Sequence, residues 1–511
     1  MSSAVISDAD QSAVVAFLES GAAFGGRPVE RIDTHISHVF LAGDRAYKMK
    51  RAVKLDFLDY STLALRHHFC KREIEANRVM APDLYLGLAP VVRVDGGFRL
   101  GGPGQPAEWL VEMARFDRST QFDQLVRRGE LSVALVEDLA DRVALAHARC
   151  ERRPDQSPAR QFRFFRTYIG RILLRQRGDE RDTSDARRWV VLVKQAIRQH
   201  AEALGARRRQ GFVRHIHGDM HLANICLVDG RPTPFDAIEF SDEIASGDVL
   251  YDIAFPIMDL LHHGRRDLAN RLINRYLALT RDYGGLRLLP LFLSFRAVIR
   301  AMAAALGPPS DGRIRQVERL ERLAMSFLDH APRPRLIALG GLSGSGKSTL
   351  AAALASEIGD GWGAVLLRSD VIRKRDYGVA LDAHLGTDAY RPAAREQVYV
   401  EMLECAEQAL AAGLTVILDA TFLDDGDRAT AKALADRAHG ADFVGLWLDA
   451  PLATLRHRLI RRGQDASDAT VDVLERQAQR DLANLTWVKA DVSGSVDQSL
   501  CNIRAALLPA D

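Results

Sequence analysis

Two folding classes in one chain, an α+β region followed by a parallel α/β sheet, are predicted by three observations. Arg335 to Leu350, RLIALGGLSGSGKSTL, runs from an apolar strand through a glycine-rich turn into a helix that opens at Lys347. From there to the end, strand-like and helical segments alternate, which is the pattern of a parallel sheet with helices on both faces. Before it, hairpin-forming alternating runs give way to long helical tracts. At 511 residues the chain exceeds a single core, and roughly three folding units of about 150 residues each are expected.

Composition narrows the partners. The net charge of +2 advertises no nucleic acid partner. The five cysteines are scattered singly, without the spacing of a zinc site or a disulfide framework, and fit a reducing cytosol. The start MSSAVISDAD lacks the basic residues and apolar run of a signal peptide. The apolar stretch Leu288 to Leu306 is interrupted by Arg296 and Arg300, so a buried helix is expected there and no membrane partner. A cytoplasmic protein follows.

Taken in order, Gln11 to Phe24 reads as a short amphipathic helix. Thr34 to Leu41, a Gly43-Asp44 turn and Arg45 to Lys50 form a hairpin. In RAYKMK, Lys48 and Lys50 share one face and Tyr47 and Met49 the other. Such lysines are either solvated edge residues or functional. The following KREIEANRVM helix offers Glu73 as an acidic partner, and a lysine–glutamate pair between a strand and the next helix is one way to hold nucleotide phosphates. Val91 to Arg99 and Glu108 to Arg115 complete a small sheet, and the crossing at Glu112 to Ala114 would meet adenine through backbone groups. Helices are expected over Leu131 to Ala148, Phe162 to Leu174 and Ala186 to Leu204. The arginines between them, Arg152 to Arg166, serve either as solvated helix faces or for an acidic substrate.

A second chemical centre lies at His217 to Asn224, HGDMHLAN, followed by a hairpin and a strand that ends in Phe235 to Glu239. A hydroxyl attacking a phosphate needs a carboxylate to take its proton, and Mg²⁺ needs oxygen ligands nearby. Asp219 can supply the base, Asn224 a ligand on the same loop, and Asp236 a second ligand returned by the hairpin. His217 is expected to brace the loop.

HGDMHLAN and FDAIEF together resemble the catalytic and metal-binding loops of aminoglycoside phosphotransferases and choline-kinase-like relatives, which share the protein-kinase fold. The resemblance covers about Arg31 to His330. It implies Asp219 as catalytic base, Asn224 and Asp236 as metal ligands, Lys48 as the phosphate-contacting lysine and Glu73 as its partner. It also marks GDVLYDIA as structural through Asp248 and Asp252. The chain departs from it in the glycine-free THISHV loop and in Glu239 and Asp242 after the metal aspartate. A two-lobed protein-kinase-like domain is thus expected, with an N-lobe over 1–115 and a helical C-lobe over 116–330. Arg265 to Tyr283, Leu288 to Leu306 and Arg313 to Phe327 would close that lobe. His330 to Arg335, HAPRPR, marks a linker at 331–335, because two prolines stop helix continuation.

The last unit, 336–511, carries GxxxxGK[ST] at Gly341, Gly346, Lys347 and Ser348, a phosphate-binding loop. Backbone N–H groups of Ser343, Gly344, Ser345, Gly346 and Thr349 and the helix start would cradle a triphosphate. Lys347 would reach its terminal phosphates, and Ser348 would hold Mg²⁺. Strands are expected at Leu336 to Leu339, Ala364 to Leu367, Thr415 to Leu418 and Phe443 to Leu448, with ligands beyond their carboxyl ends. Those ends carry Asp370, placed to orient an acceptor hydroxyl, Arg373 for an anionic group, and Asp419 for Mg²⁺; each carboxylate is also a possible helix cap. RSDVIRK and LDATF resemble the small-molecule kinase branch of P-loop proteins, near zeta-toxin and gluconate-kinase-like enzymes. That resemblance implies a P-loop NTPase sheet and a lid in Leu455 to Gly463, where Arg458, Arg461 and Arg462 would meet transferred phosphate. The capped segment Asp465 to Gln477 has no derivable role. The expected function is ATP-dependent, Mg²⁺-assisted phosphate transfer to small-molecule hydroxyls at two centres. Competing readings are a macromolecule-directed P-loop kinase and an ATP-gated binding protein without chemistry.

Overall fold

A computed structural model of the chain describes residues 9–55, 58–175, 184–307, 310–329, 333–381, 383–438, 440–461 and 467–507. Both expected architectures are present, one in each of two units: 1–176 with 194–259, and 177–193 with 260–511.

In the first unit, six antiparallel strands lie in the order Val29–Asp33, Ser37–Ala42, Arg45–Lys50, Pro106–Ala114, Tyr85–Val94, Gly97–Leu100. The Gly43-Asp44 turn sets the register with Val39 opposite Lys48 and Ser37 opposite Lys50. Alternation then divides the lysine strand between two cores. Tyr47 and Met49 join Val14, Leu18 and Phe40 beneath the helix Ala9–Glu19. On the opposite side Ala46 packs with Cys70 and Ile74 of the helix Leu63–Asn77, so Lys48 and Lys50 face that helix. Thr62 starts the helix by accepting the Leu65 N–H.

Three expectations are corrected here. Val91 to Arg99 is a hairpin, not one strand, because Asp95-Gly96 is a turn dipeptide between Tyr85–Val94 and Gly97–Leu100. Ala186 to Leu204 is two helices, Ser184–Gln199 and Ala201–Gln210, separated at His200. Glu112 to Ala114 remain inside a central strand, opposite Tyr47, Ala46 and Arg45, and the chain leaves the sheet only at Arg115, whose N–H donates to Asp44 O at 2.9 Å.

The second unit holds a five-stranded parallel sheet in the order Val365–Arg368, Val416–Asp419, Arg335–Gly340, Asp442–Asp449, Val488–Asp491. Ile337, Leu339, Ile417 and Leu446 form its core with Leu350 and Leu354 of the helix Lys347–Glu357. The fifth strand was not expected: in VKAD only Ala490 is buried, so no apolar run announces it.

The helices Arg266–Thr280, Leu289–Ala305 and Asp311–Ser326, expected to close the kinase-like lobe, are grouped by their contacts with this second unit. The first of them covers the open edge of the sheet. Buried Asn270 donates from Nδ2 to Trp362 O at 3.1 Å and Ala364 O at 3.0 Å. Asn274 Oδ1 accepts the Leu366 N–H at 2.7 Å, and Arg266 reaches Ile358 O and Gly359 O. Polar side chains thereby satisfy an edge strand that would otherwise present bare backbone groups. Asn270→Ala is expected to lower stability by roughly 1–3 kcal/mol, since a buried carbonyl loses its donor; a lower urea midpoint at unchanged slope checks this. The linker expected at 331–335 lies partly outside the described residues.

One stretch, Tyr283–Ala305, is long and apolar enough to cross a membrane by length and composition, and 61% of its best window is buried in protein. Its Phe292 and Phe295 are fully buried, and Ser294 Oγ accepts from Trp189 Nε1 at 3.0 Å.

Candidate functional site

In the first unit Lys48 joins two segments far apart in sequence. Its Nζ lies 2.8 Å from Glu73 Oε1 and 2.5 Å from Asp236 Oδ1. Burial alone would push the lysine toward neutrality, but Asp236 and Glu73 outweigh it and hold the ammonium above its ordinary range. For Glu73 and Asp236 burial likewise opposes ionisation, and Lys48 overcomes it, so both carboxylates lie below their ordinary range.

Asp236 has φ 64, a left-handed conformation that an aspartate tolerates better than most residues. It is held there by the Tyr85 hydroxyl, which accepts the Asp236 N–H at 3.1 Å, and by Asn77 Oδ1, which accepts the Ala237 N–H at 2.8 Å. This turn ends the strand Arg231–Pro234 before the Glu239 terminus expected from sequence.

The loop from His217 to Asn224 is fastened from below. Asp252 accepts the N–H groups of His217 and Gly218, both at 2.9 Å, and lies 3.2 Å from His147 Nε2. Asp259 accepts the Leu222 N–H at 3.0 Å. His217 Nε2 is 2.9 Å from Phe235 O, which ties this loop to the segment before Asp236. Asp248 is buried and paired with Arg207. Asn224 Nδ2 donates to Asp219 O at 3.0 Å and Oδ2 at 3.3 Å, while Asn224 O accepts the Phe235 N–H at 2.9 Å. A continuous chain of contacts therefore links Asp219, Asn224, Asp236, Lys48 and Glu73.

Sequence reading passed over the other half of this cluster. Lys50 Nζ contacts Glu73 Oε2 at 2.6 Å, Glu239 Oε1 and the Tyr60 hydroxyl. Its signal was the shared face with Lys48 in RAYKMK; Glu239 was visible only as a departure after the metal aspartate, with nothing to pair it with Lys50.

In the second unit Gly341 has φ 147 and Gly344 φ 85, conformations that side chains rarely adopt. Space forbids them too: a Cβ at Gly341 would meet Leu448 O at 2.8 Å, and one at Gly344 would meet Leu455 O at 2.7 Å. Gly346 caps the helix that begins at Lys347, and Thr349 is exposed on its first turn. Lys347 Nζ donates to Gly341 O and Leu342 O, each at 2.9 Å, and approaches buried Ser345 Oγ at 3.4 Å. Ser348 Oγ donates to Asp419 Oδ2 at 2.7 Å, and Arg368 Nε reaches the same oxygen at 3.3 Å. Ser343 N–H is taken by Gln477 Oε1 at 2.8 Å, so the capped helix of unassigned role touches the loop.

Asp370 begins the helix Ser369–Asp376 beside Arg373, whose Nε is 3.9 Å away. Arg373 NH1 donates to Ala389 O, and its guanidinium stacks 4.6 Å over Tyr390. Burial raises the Asp370 carboxyl above its ordinary range despite Arg373. Were Asp370 to act as a base it would have to be ionised, and turnover depending on it would fall, as pH drops, through a value above the ordinary carboxylate pKa of about 3.9. The raised value also means that the ionised group burdens the fold at neutral pH, because the unfolded chain holds its proton less readily. Asp370→Asn should therefore abolish the acid limb while raising the melting temperature at pH 7.

The expected lid arginines are not gathered at the phosphate loop. Arg458 donates to Ser493 O and Gly494 O, at 3.3 and 3.0 Å, and exposed Arg461 lies beside His457. Their helix Leu452–Ile460 instead gives the loop Leu455 and Leu459, which pack on Gly344. Arg462 lies outside the described residues.

The donors suit a hard divalent cation. Among the described residues no group of three or more His, Cys, Asp or Glu side chains could enclose a metal by itself. Mg²⁺ needs no such cage, since one or two carboxylates plus substrate phosphates suffice. Asp236 and Asn224 in one unit, and Ser348 with Asp419 in the other, fit that requirement.

The chain has relatives and structural neighbours. The AAA domain family model matches residues 336–482. The structure resembles a choline/ethanolamine kinase family protein from Mesorhizobium loti, 13% identical with TM-score 0.38, over 63% of this chain and 95% of that one. It also resembles a gluconokinase from Sinorhizobium meliloti 1021, 23% identical with TM-score 0.24, over 35% of this chain and 93% of that one. Uncharacterized protein Rv2004c of Mycobacterium tuberculosis (strain ATCC 25618 / H37Rv) is 31% identical over 479 residues, 92% of this chain and 93% of its own length. Both units are spanned by that match, and the chain belongs to the same two-unit protein family as Rv2004c.

Proposed function

We propose that the chain is a phosphotransferase with two centres, each passing the γ-phosphate of MgATP to a hydroxyl of a small molecule, in the cytoplasm. What carries this reading is the convergence of Lys48, Glu73, Asp219, Asn224 and Asp236, drawn from four separate stretches, onto one connected site. Structural economy alone does not require a lysine, three carboxylates or carboxamides of loop residues, and a braced turn to meet in one place.

At the first centre Lys48, oriented by Glu73, meets the phosphates. Asp219 accepts the proton as the acceptor O–H breaks. The freed oxygen bonds to the γ-phosphorus, the bond to the bridging oxygen breaks, and ADP leaves. Asn224 and Asp236 would hold Mg²⁺, which when bound neutralises charge on the phosphate oxygens. At the second centre the loop from Gly341 to Thr349 holds the phosphates, Lys347 turns from its own carbonyls to the γ-phosphate, and Ser348 with Asp419 would hold the metal. Asp370 takes the acceptor proton, and Arg373 with Tyr390 lines the acceptor's approach. Both centres work chiefly by positioning and charge neutralisation.

The test is product-based. Purified full-length protein is incubated with ATP, Mg²⁺ and pooled hydroxyl metabolites, and mass spectra are searched for a gain of one phosphate. The gain should vanish in the Asp219→Ala/Lys347→Ala double variant. Undiminished product in that variant, or ATP binding without any phosphorylated product, would refute the proposal.

A further inference from the structure

Glu73 is gripped twice, and only one of its partners has a place in the chemistry above. Lys48 takes Oε1 and Lys50 takes Oε2, with Lys50 as buried as the glutamate, at 1% and 0% side-chain exposure. Lys50 also pairs with buried Glu239, whose Oε1 accepts the Tyr60 hydroxyl at 2.5 Å. At that depth Lys50 cannot meet a ligand. Lys48, Lys50, Glu73, Asp236 and Glu239 together set three carboxylates against two ammonium groups, so the cluster is one positive charge short.

That balance decides where Lys48 can go. Inside a protein, unscreened charges act strongly on one another. With Lys50 in place, Glu239 and one oxygen of Glu73 are already answered, and Lys48 can turn to a phosphate once a cation relieves it at Asp236. Without Lys50, Lys48 alone would face all three carboxylates. Building on the nucleotide reading of this centre, we propose that Lys50 and Glu239 are positioning residues that set the charge of the buried cluster, and thereby divide affinity between cation and nucleotide.

Charge balance makes opposite predictions for the two ligands, which loose packing would not. All variants are made in full-length protein carrying Lys347→Ala, to silence the other centre, and titrated calorimetrically with Mn²⁺ alone and with ADP alone. Lys50→Met makes the cluster more negative: Mn²⁺ should bind tighter and ADP weaker, each by about tenfold. Glu239→Gln removes the deficit, so Mn²⁺ should weaken and ADP tighten. The Lys50→Met/Glu239→Gln double variant restores the original balance, and both affinities should return to within about threefold of the parent, a non-additivity that a double-mutant cycle reads directly. If Lys50→Met strands Glu239 and does not fold, Glu239→Gln and the double variant decide the matter by loss and recovery of Mn²⁺ affinity.

Both ligands weakening together, no change in either, or a double variant no better than the singles would overturn the charge-setting role. Asp236→Ala is the control for the underlying reading. Should it bind Mn²⁺ and ADP as the parent does, the nucleotide reading of the centre fails; should it lose Mn²⁺ while the other variants stay silent, only the present inference fails.

Discussion

Asp219→Asn is expected to lower kcat at the first centre by about a thousandfold, in the middle of the range that a positioned proton acceptor contributes. An asparagine fills the same space and can keep a hydrogen bond to Asn224, so the loop pinned by Asp252 and Asp259 should hold its shape. What is lost is a group able to take the acceptor's proton. The apparent KM for ATP should then stay within about twofold of the parent, because an interaction confined to the transition state changes kcat without changing ground-state binding. Turnover is measured in a Lys347→Ala background so that the other centre is silent. A KM rise of tenfold with little loss of kcat would instead make Asp219 a nucleotide-binding residue.

Lys347→Ala should have the next largest effect, about 10²–10³-fold on turnover at the second centre, the scale of removing one preorganised charge from a developing anion. Unlike Asp219, Lys347 would contact ATP before and during transfer, so KM for ATP should rise as well. The Nζ now rests on Gly341 O and Leu342 O, part-buried carbonyls of a loop that each lose one hydrogen bond when the amine is removed, a net cost of roughly 1 kcal/mol apiece at most. Thermal stability in the absence of nucleotide should therefore be nearly unchanged, whereas in a Lys48→Ala background, which silences the first centre, the stabilisation conferred by added ATP should disappear. Retention of that ligand-induced shift would count against the loop as a triphosphate cradle.

Local chemistry was the most readable part of the chain. A strand, glycine turn and helix can be recognised in sixteen consecutive residues, and Lys48, Asp219, Asn224 and Asp236 stand in short patterns whose spacing has chemical meaning. Lys50 with Glu239 was not readable in the same way, since the partners are 189 residues apart and neither segment says that the two meet. The helices from Arg266 to Ser326 were foreseen as helices, but not that the first of them covers a strand edge. Periodicity says which face of a helix is apolar, not what covers it. Asn270 and Asn274, polar residues on an otherwise ordinary helix, were the one clue to an exposed strand edge. The lid arginines are a related case: an arginine close to a phosphate loop in sequence is equally able to reach backbone carbonyls, and Arg458 does.

The asparagine cap over the strand Val365–Arg368 has a bearing on how the protein is made. Asn270 and its carbonyl partners are 92 and 94 residues apart, and the helix is the earlier of the two. It has left the ribosome and can fold before the strand emerges. When that strand appears, its exposed backbone meets a partner from the same polypeptide, before a neighbouring nascent chain can pair with it and seed an intermolecular sheet.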